Sequence, residues 1–171
     1  MIINPSEVLK ETGNKEDIHG ELRFDDISYR GEKFRFVTCP VFDGYIYNNG
    51  QSLTLKGDVS MKLEVNCARC MKDIEYDFTF GMEETLVRED SDSDPDGDEI
   101  VYSGDEIDVS DIAMNGFLVN VPGKFLCKED CKGLCPECGA DLNEGDCGCD
   151  NEVIDPRWEA LKNIMDNNKD N

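Results

Sequence analysis

Histidine is almost missing from this chain. One occurs in 171 residues, His19, in a polar N-terminal stretch. A Ser/His/Asp or Cys/His constellation needs a histidine among its partners, and a lone exposed one supplies none. Basic residues are scarce too: 17 Lys and Arg stand against 39 Asp and Glu, for a net charge of −22. Broad binding to nucleic acid phosphates needs clustered Lys and Arg, so that class is disfavoured and a basic protein partner is favoured. No run of about 20 apolar residues exists, so no membrane span is expected. The N-terminus lacks a basic region followed by an apolar one, the mark of an export signal. Neither G-x-G-x-x-G nor a P-loop occurs. Carboxylates abound, but they fall in an exposed run where pKa values need no tuning. We therefore expect no enzyme activity, no small-molecule substrate and a cytoplasmic location.

Cysteine, by contrast, is concentrated. Of nine cysteines, six fall in the 24 residues Leu126–Cys149. Cys135-Pro-Glu-Cys138 is a C-x-x-C pair and Cys147-Gly-Cys149 follows; Cys127 and Cys131 stand just upstream, and a second C-x-x-C, Cys67-Ala-Arg-Cys70, lies far earlier. Zn²⁺ takes four tetrahedral thiolate or imidazole ligands, and a C-x-x-C turn points two sulfurs at one centre. Gly133, Gly139 and Gly148 suit the turns. The reading is one site of Cys135, Cys138, Cys147 and Cys149, and a second of Cys67, Cys70, Cys127 and Cys131, with Cys39 left over. That gives one or two Zn²⁺ per chain, one if Cys67 and Cys70 are spare thiols or a redox pair. A disulfide framework belongs to small secreted chains; in a reducing cytoplasm thiols stay available for metal. Sets of four cysteines read as closed structural sites rather than catalytic ones.

The fold class expected is α+β: an antiparallel β-sheet core, few helices and a C-terminal cysteine-rich zinc knuckle. Residues 1–20 read as a polar segment with one short helical turn at Pro5–Lys10, and residues 21–88 as the β region. Val59–Val65 alternates with apolar residues on one face, and Ile74, Tyr76, Phe78 and Phe80 repeat the pattern. The Cys67–Cys70 knuckle then sits at the tip of a β-hairpin. Residues 89–106 read as an acidic flexible loop. Glu83–Asp111 holds thirteen acidic residues against one basic, Arg88, more than half of the whole imbalance. Asp92, Asp94, Asp96 and Gly97 match the first half of a calcium loop, but its twelfth position is Ser103 where a Glu is needed. Residues 107–166 should hold a helix at Ile107–Val119 capped by Asp108, with Ile112, Leu118 and Val119 toward a core and Gly116 a weak point. The knuckle follows, and then a helix from Asp155-Pro156-Arg157 with Trp158, Leu161, Ile164 and Met165 as its stripe. Residues 167–171 are a tail. Arg69 and Lys72 flank the first knuckle, and Lys124, Lys128 and Lys132 the second. They form either a small RNA or partner contact or an offset to the −2 charge of each Cys₄ zinc site.

The chain resembles the YceD family, linked to accumulation of large-subunit ribosomal RNA. Cys67-Ala-Arg-Cys70 after an alternating strand carries the resemblance. So do the acidic middle, Val121-Pro122, Leu126-Cys127, Cys131-Lys-Gly-Leu-Cys135-Pro-Glu-Cys138-Gly, Leu142-Asn143, Cys147-Gly-Cys149 and Asp155-Pro156-Arg157-Trp158 with Leu161. It spans about residues 20 to 165, in the zinc-knuckle form of Gram-positive bacteria. The resemblance implies a non-enzymatic ribosome biogenesis factor that supports accumulation or processing of 23S rRNA. Its implied partner is rRNA or a basic large-subunit ribosomal protein, whose gene is commonly adjacent. A redox-sensitive zinc-thiol sensor or holdase is the competing reading.

Overall fold

The computed structural model describes residues 1–89 and 99–149. The centre of the acidic loop with Asp92–Gly97, and the helix expected from Asp155, lie outside the described residues. The chain divides into two compact units: Met1–Cys67 with Lys72–Cys127, and Ala68–Met71 with Lys128–Asn171.

The first unit is built on one long hairpin. Alternation over Leu53–Asn66 places Leu53, Leu55, Val59, Met61, Leu63 and Val65 on one buried face. In chain order the strands are β1 (Ile2–Ile3), β2 (Lys15–Glu21), β3 (Ile27–Tyr29), β4 (Glu32–Phe36), β5 (Val41–Asn48), β6 (Leu53–Asn66), β7 (Asp73–Arg88), β8 (Ile100–Tyr102) and β9 (Ile107–Asp108), followed by helix α1 (Val109–Asn120). Strands β6 and β7 pair antiparallel along their length, from Leu53↔Leu86 to Asn66↔Asp73. Strand β5 takes the first half of the other edge of β6, and β4 pairs further along at Arg35↔Glu64 and Phe36↔Leu63. Strand β2 pairs with β5, β3 with β4, and β8 runs parallel to the end of β7. An α+β fold with an antiparallel core is therefore present.

Helix α1 starts where Asp108 accepts a hydrogen bond from the Ser110 N–H at 2.8 Å, which satisfies one of the open donors of the first turn. Its buried side is Val109, Ile112, Ala113 and Phe117. The expectation for Val119 is corrected: it is 83% exposed, and Leu118 is half-buried. Phe117 is instead the fully buried residue, with Phe34 and Phe36 rings at 5.5 Å, Phe78 at 6.0 Å and Phe24 at 6.4 Å, all edge-on. Such pairs add about 0.5–1.5 kcal/mol each beyond area burial. Gly116 is no weak point, because a Cβ there would lie 3.0 Å from the Phe80 ring; it admits the helix to the sheet.

Besides the two-residue strands β1 and β9, two strands fall where the sequence indicates none. Strand β2 lies in the polar segment, and β8 in the segment expected as loop. In β2 only Ile18 and Gly20 are half-buried, so an edge strand hides its pairing from a hydrophobic pattern. Upstream, the helical turn at Val8–Lys10 is 3₁₀, and Val8 is 2% exposed. The buried Asn48 amide ties this turn to the sheet by donating to the Val8 and Glu11 carbonyls at 3.1 and 3.3 Å.

The other face of β2, β5, β6 and β7 is open and acidic. Asp17, Asp43, Asp58, Asp77 and Glu83 are exposed there. The lysines on it are engaged: Lys15 by Asp17 at 3.2 Å, Lys56 by Glu83 at 2.6 Å, and Lys62 by Glu75 at 3.5 Å. Asp43 stands directly opposite Asp58, and Glu64 opposite Glu75. Directly opposed like charges are destabilising. Asp43, Tyr45, Lys56, Asp58 and Glu83 line a shallow groove of about 490 Å³ over Gly81.

Below that groove β5 and β6 approach at Gly44↔Gly57. A Cβ on Gly57 would meet the Asp43 carbonyl oxygen at 2.5 Å and the Gly44 Cα at 2.6 Å. We expect Gly57→Ala to destabilise the protein by about 1–3 kcal/mol in chemical denaturation. Gly123→Ala, with open space around it, should change little. Equal midpoints for the two would contradict this strand approach.

Candidate metal centres

The cysteine-rich segment has little apolar material of its own. Over Leu126–Cys149 the buried residues are Cys131, Gly133 and Cys135. Its regular pairing is one isolated bridge, Leu134↔Asp141. What shapes it is a pair of tight knuckles. In one, the Gly139 N–H donates to the Cys135 carbonyl at 2.9 Å and Gly139 has φ +74°. In the other, the Cys67 N–H donates to the Lys72 carbonyl at 2.8 Å and Met71 has φ +59°. The residue after each C-x-x-C is thus left-handed, which is easy for glycine and costs a side chain about 1–2 kcal/mol. Gly133 and Gly148 are left-handed as well, at +78° and +73°.

The knuckles gather the sulfurs. Cys135, Cys138, Cys147 and Cys149 place their Sγ atoms within 4.8 Å of one another, and so do Cys67, Cys70, Cys127 and Cys131. No disulfide joins any of the nine cysteines, and Cys39 stands apart and exposed. Tetrahedral Zn–S bonds of about 2.3 Å require S···S separations of about 3.8 Å. The donor sets therefore fit a thiophilic divalent ion closely, and each can hold one. Backbone and side-chain amides address the sulfurs: the Cys127 N–H donates to Cys67 Sγ at 3.4 Å, and Asn143 Nδ2 to Cys131 Sγ at 3.4 Å.

Crowding spreads the thiol acidities. The Cys135 thiol is lowered to about 7, first by backbone N–H donation from Cys138 and then from Glu137. Cys149 is pushed up to about 12, above all by the hydrogen bond it shares with Cys138, and then by Cys147. Four neighbouring thiols cannot all become thiolates without a cation, so a metal must displace their protons.

The basic residues singled out as contacts are all exposed. Arg69 also has an internal task. Its Nη1 donates to the Cys131 carbonyl at 2.7 Å and the Glu129 carbonyl at 3.2 Å, while its own carbonyl accepts from the Leu134 N–H at 3.2 Å. Lys128 lies 4.0 Å from Asp130, and the Lys132 N–H donates to Asn143 Oδ1 at 2.9 Å. Lys72 closes its knuckle through its backbone, and Lys124 is exposed beside the buried Phe125. Spacing gave no sign of Asn143 or of the left-handed Met71. Comparing Cys70-Met71 with Cys138-Gly139 supplies a signal for Met71; for Asn143 the signal is the Leu142-Asn143 pair of the resemblance, between Cys138 and Cys147.

Metal affinity should rise with pH, and more steeply below about 7, where Cys135 too must lose its proton, than above it. Competitive chelator titrations at about pH 6 and about pH 8 check this. An affinity independent of pH would exclude thiolate ligation.

No helix among the described residues is long and apolar enough to cross a membrane. No solved structure matches the chain. Among curated proteins, an uncharacterized protein of Mycobacterium tuberculosis is 30% identical over 118 residues, 67% of this chain and 56% of its own length. The chain thus spans little more than half of that relative. The uncharacterized protein YlbN of Bacillus subtilis is 27% identical over 111 residues, 63% of each chain. A chloroplastic protein of Arabidopsis thaliana, named as a large ribosomal RNA subunit accumulation protein YCED homolog, is 33% identical over 61 residues, 36% of this chain and 19% of its own. Residues 55–165, from near the start of β6 through both thiol clusters, match the profile of the large ribosomal RNA subunit accumulation protein YceD, and the chain belongs to that family.

Proposed function

We propose that this protein is a non-enzymatic, cytoplasmic ribosome biogenesis factor. It supports accumulation or processing of large-subunit rRNA by holding a basic large-subunit ribosomal protein. Family membership carries the first half of this reading. Charge carries the second. A chain of net charge −22 repels phosphate and attracts Lys- and Arg-rich surfaces. The open face of the sheet sets Asp43 against Asp58, a like-charge pairing that costs stability, with His19 at 3.0 Å from Asp43; the opposed Glu64 and Glu75 are each met by a cation, Arg35 and Lys62. A surface maintained against that cost suits a cationic partner.

Zn²⁺ is the ion this reading assigns to both thiol sets: Cys135, Cys138, Cys147 and Cys149, and Cys67, Cys70, Cys127 and Cys131. Bound there it supplies a closed structural cross-link. Arg69, Lys72, Lys124, Lys128 and Lys132 are the positions that would touch rRNA or acidic segments of an assembly intermediate.

Tagged full-length protein should capture a basic large-subunit protein from lysate at low salt, with or without ribonuclease, and release it as salt rises. Asp43→Asn with Asp58→Asn should weaken capture and flatten its salt dependence, while raising stability by up to about 1 kcal/mol. Neutralising Asp92, Asp94, Asp96 and Asp98 tests whether the acidic loop shares the task. Capture that vanishes with ribonuclease would make rRNA the direct partner. Recovery of unfolded clients, with metal loss at low peroxide, would replace this reading with the redox-regulated holdase.

A further inference from the structure

The eight residues Gly139–Asp146 separate Cys138 from Cys147, two ligands of the C-terminal thiol set. Their polar contacts converge on Asn143. The Asn143 N–H and Nδ2 both donate to Asp141 Oδ1, at 2.8 and 2.7 Å. Asn143 Oδ1 accepts from the Lys132 N–H at 2.9 Å, and Nδ2 also reaches Cys131 Sγ at 3.4 Å. Cys131 belongs to the other set. One side chain carried between two ligands of one cluster thus donates to a ligand sulfur of the other.

Little else holds that side chain in place. The excursion contains no buried residue; Ala140 is exposed and Leu142 half-buried. Its backbone is pinned by Cys135 N–H to Ala140 O at 2.8 Å and Leu142 N–H to Gly133 O at 2.9 Å. Its two ends are fixed when Cys138 and Cys147 share an ion. A thiolate that accepts an N–H bond carries less uncompensated charge, and partners of this kind are worth about 10–100-fold in metal affinity.

Resting on the metal-centre reading above, we propose that Asn143 is a positioning residue that couples the two thiol sets. Loading of Cys135, Cys138, Cys147 and Cys149 orients its amide toward Cys131 and so tightens metal at Cys67, Cys70, Cys127 and Cys131. Binding free energies are linked, so the coupling is reciprocal: loading the second set tightens the first by the same factor.

The test is a Co²⁺ titration of the full chain, followed by thiolate-to-metal charge-transfer absorption with a competing chelator. Wild type should bind two ions. Asn143→Ala, and separately Cys147→Ser with Cys149→Ser, should each lower affinity at the Cys67 set by about 10-fold or more. Their combination should lower it no further, because both remove one coupling. Asn143→Asp keeps an acceptor for the Lys132 N–H but loses the Nδ2 donations to Cys131 Sγ and to Asp141 Oδ1 and sets a second carboxylate beside Asp141, so it should lower the affinity at least as far as Asn143→Ala does. If Asn143→Asp and the serine pair leave the Cys67 set at wild-type affinity, or if their effects add, the sets are independent and the coupling is refuted. A wild-type chain that binds no Co²⁺ would instead overturn the metal reading itself, and is seen before any variant is made.

Discussion

Four thiols brought to one point hold their protons against one another until a cation replaces them. That constraint governs the cysteine-rich unit. Cys135 is lowered to about 7 by backbone N–H donation while Cys149 is raised to about 12 by its thiol neighbours, so gathering the sulfurs spreads their acidities instead of favouring four thiolates together. Among the described residues the surrounding segment offers little other source of stability. Its buried residues are two cysteines and a glycine, and its turns are held by single backbone hydrogen bonds. Structural zinc contributes on the order of 10–16 kcal/mol in small domains, far above what such turns supply. Arg69 and Asn143 then become intelligible as residues that orient ligands: one gathers the carbonyls of the Glu129–Cys131 turn, the other addresses a sulfur.

The sheet unit rests on different physics. Phe117 sits among four aromatic rings, and β6 adds Leu53, Leu55, Val59, Met61, Leu63 and Val65 to the same buried core. With its core secured by burial, the sheet can carry an outer face whose charges oppose one another. The two units thus divide the work: burial stabilises the acidic surface proposed to meet a basic partner, and thiol chemistry shapes the unit that bears most of the basic side chains near the cysteines.

Legibility in the sequence followed the strength of the local chemical constraint. The β6–β7 hairpin was readable because one face is buried, and period-2 alternation records that directly. Both thiol groups were readable because a C-x-x-C turn brings two sulfurs to one point, and the same four-and-four grouping appears in space. Asp108 was readable as a cap because its side chain bonds locally. Strand β2 was not, since a polar edge strand is held by backbone pairing to β5 and only Ile18 turns partly inward. The inward side of α1 was misjudged at Val119, which is exposed, and Gly116 was read as a weak point when its missing side chain is what lets Phe80 approach. Asn143 stood in the sequence only as part of the Leu142-Asn143 pair of the resemblance, and its contact was not legible: a hydrogen bond to a sulfur twelve residues away leaves no periodicity and no spacing rule.

Hydrogen exchange on the full chain before and after chelation separates metal ligation from apolar burial as the hold on the cysteine-rich unit. With ligation as the hold, chelation removes amide protection from residues 68–71 and 128–149 while β5, β6 and β7 remain protected. Protection of the cysteine-rich residues that survives complete metal removal would mean that metal does not hold the unit.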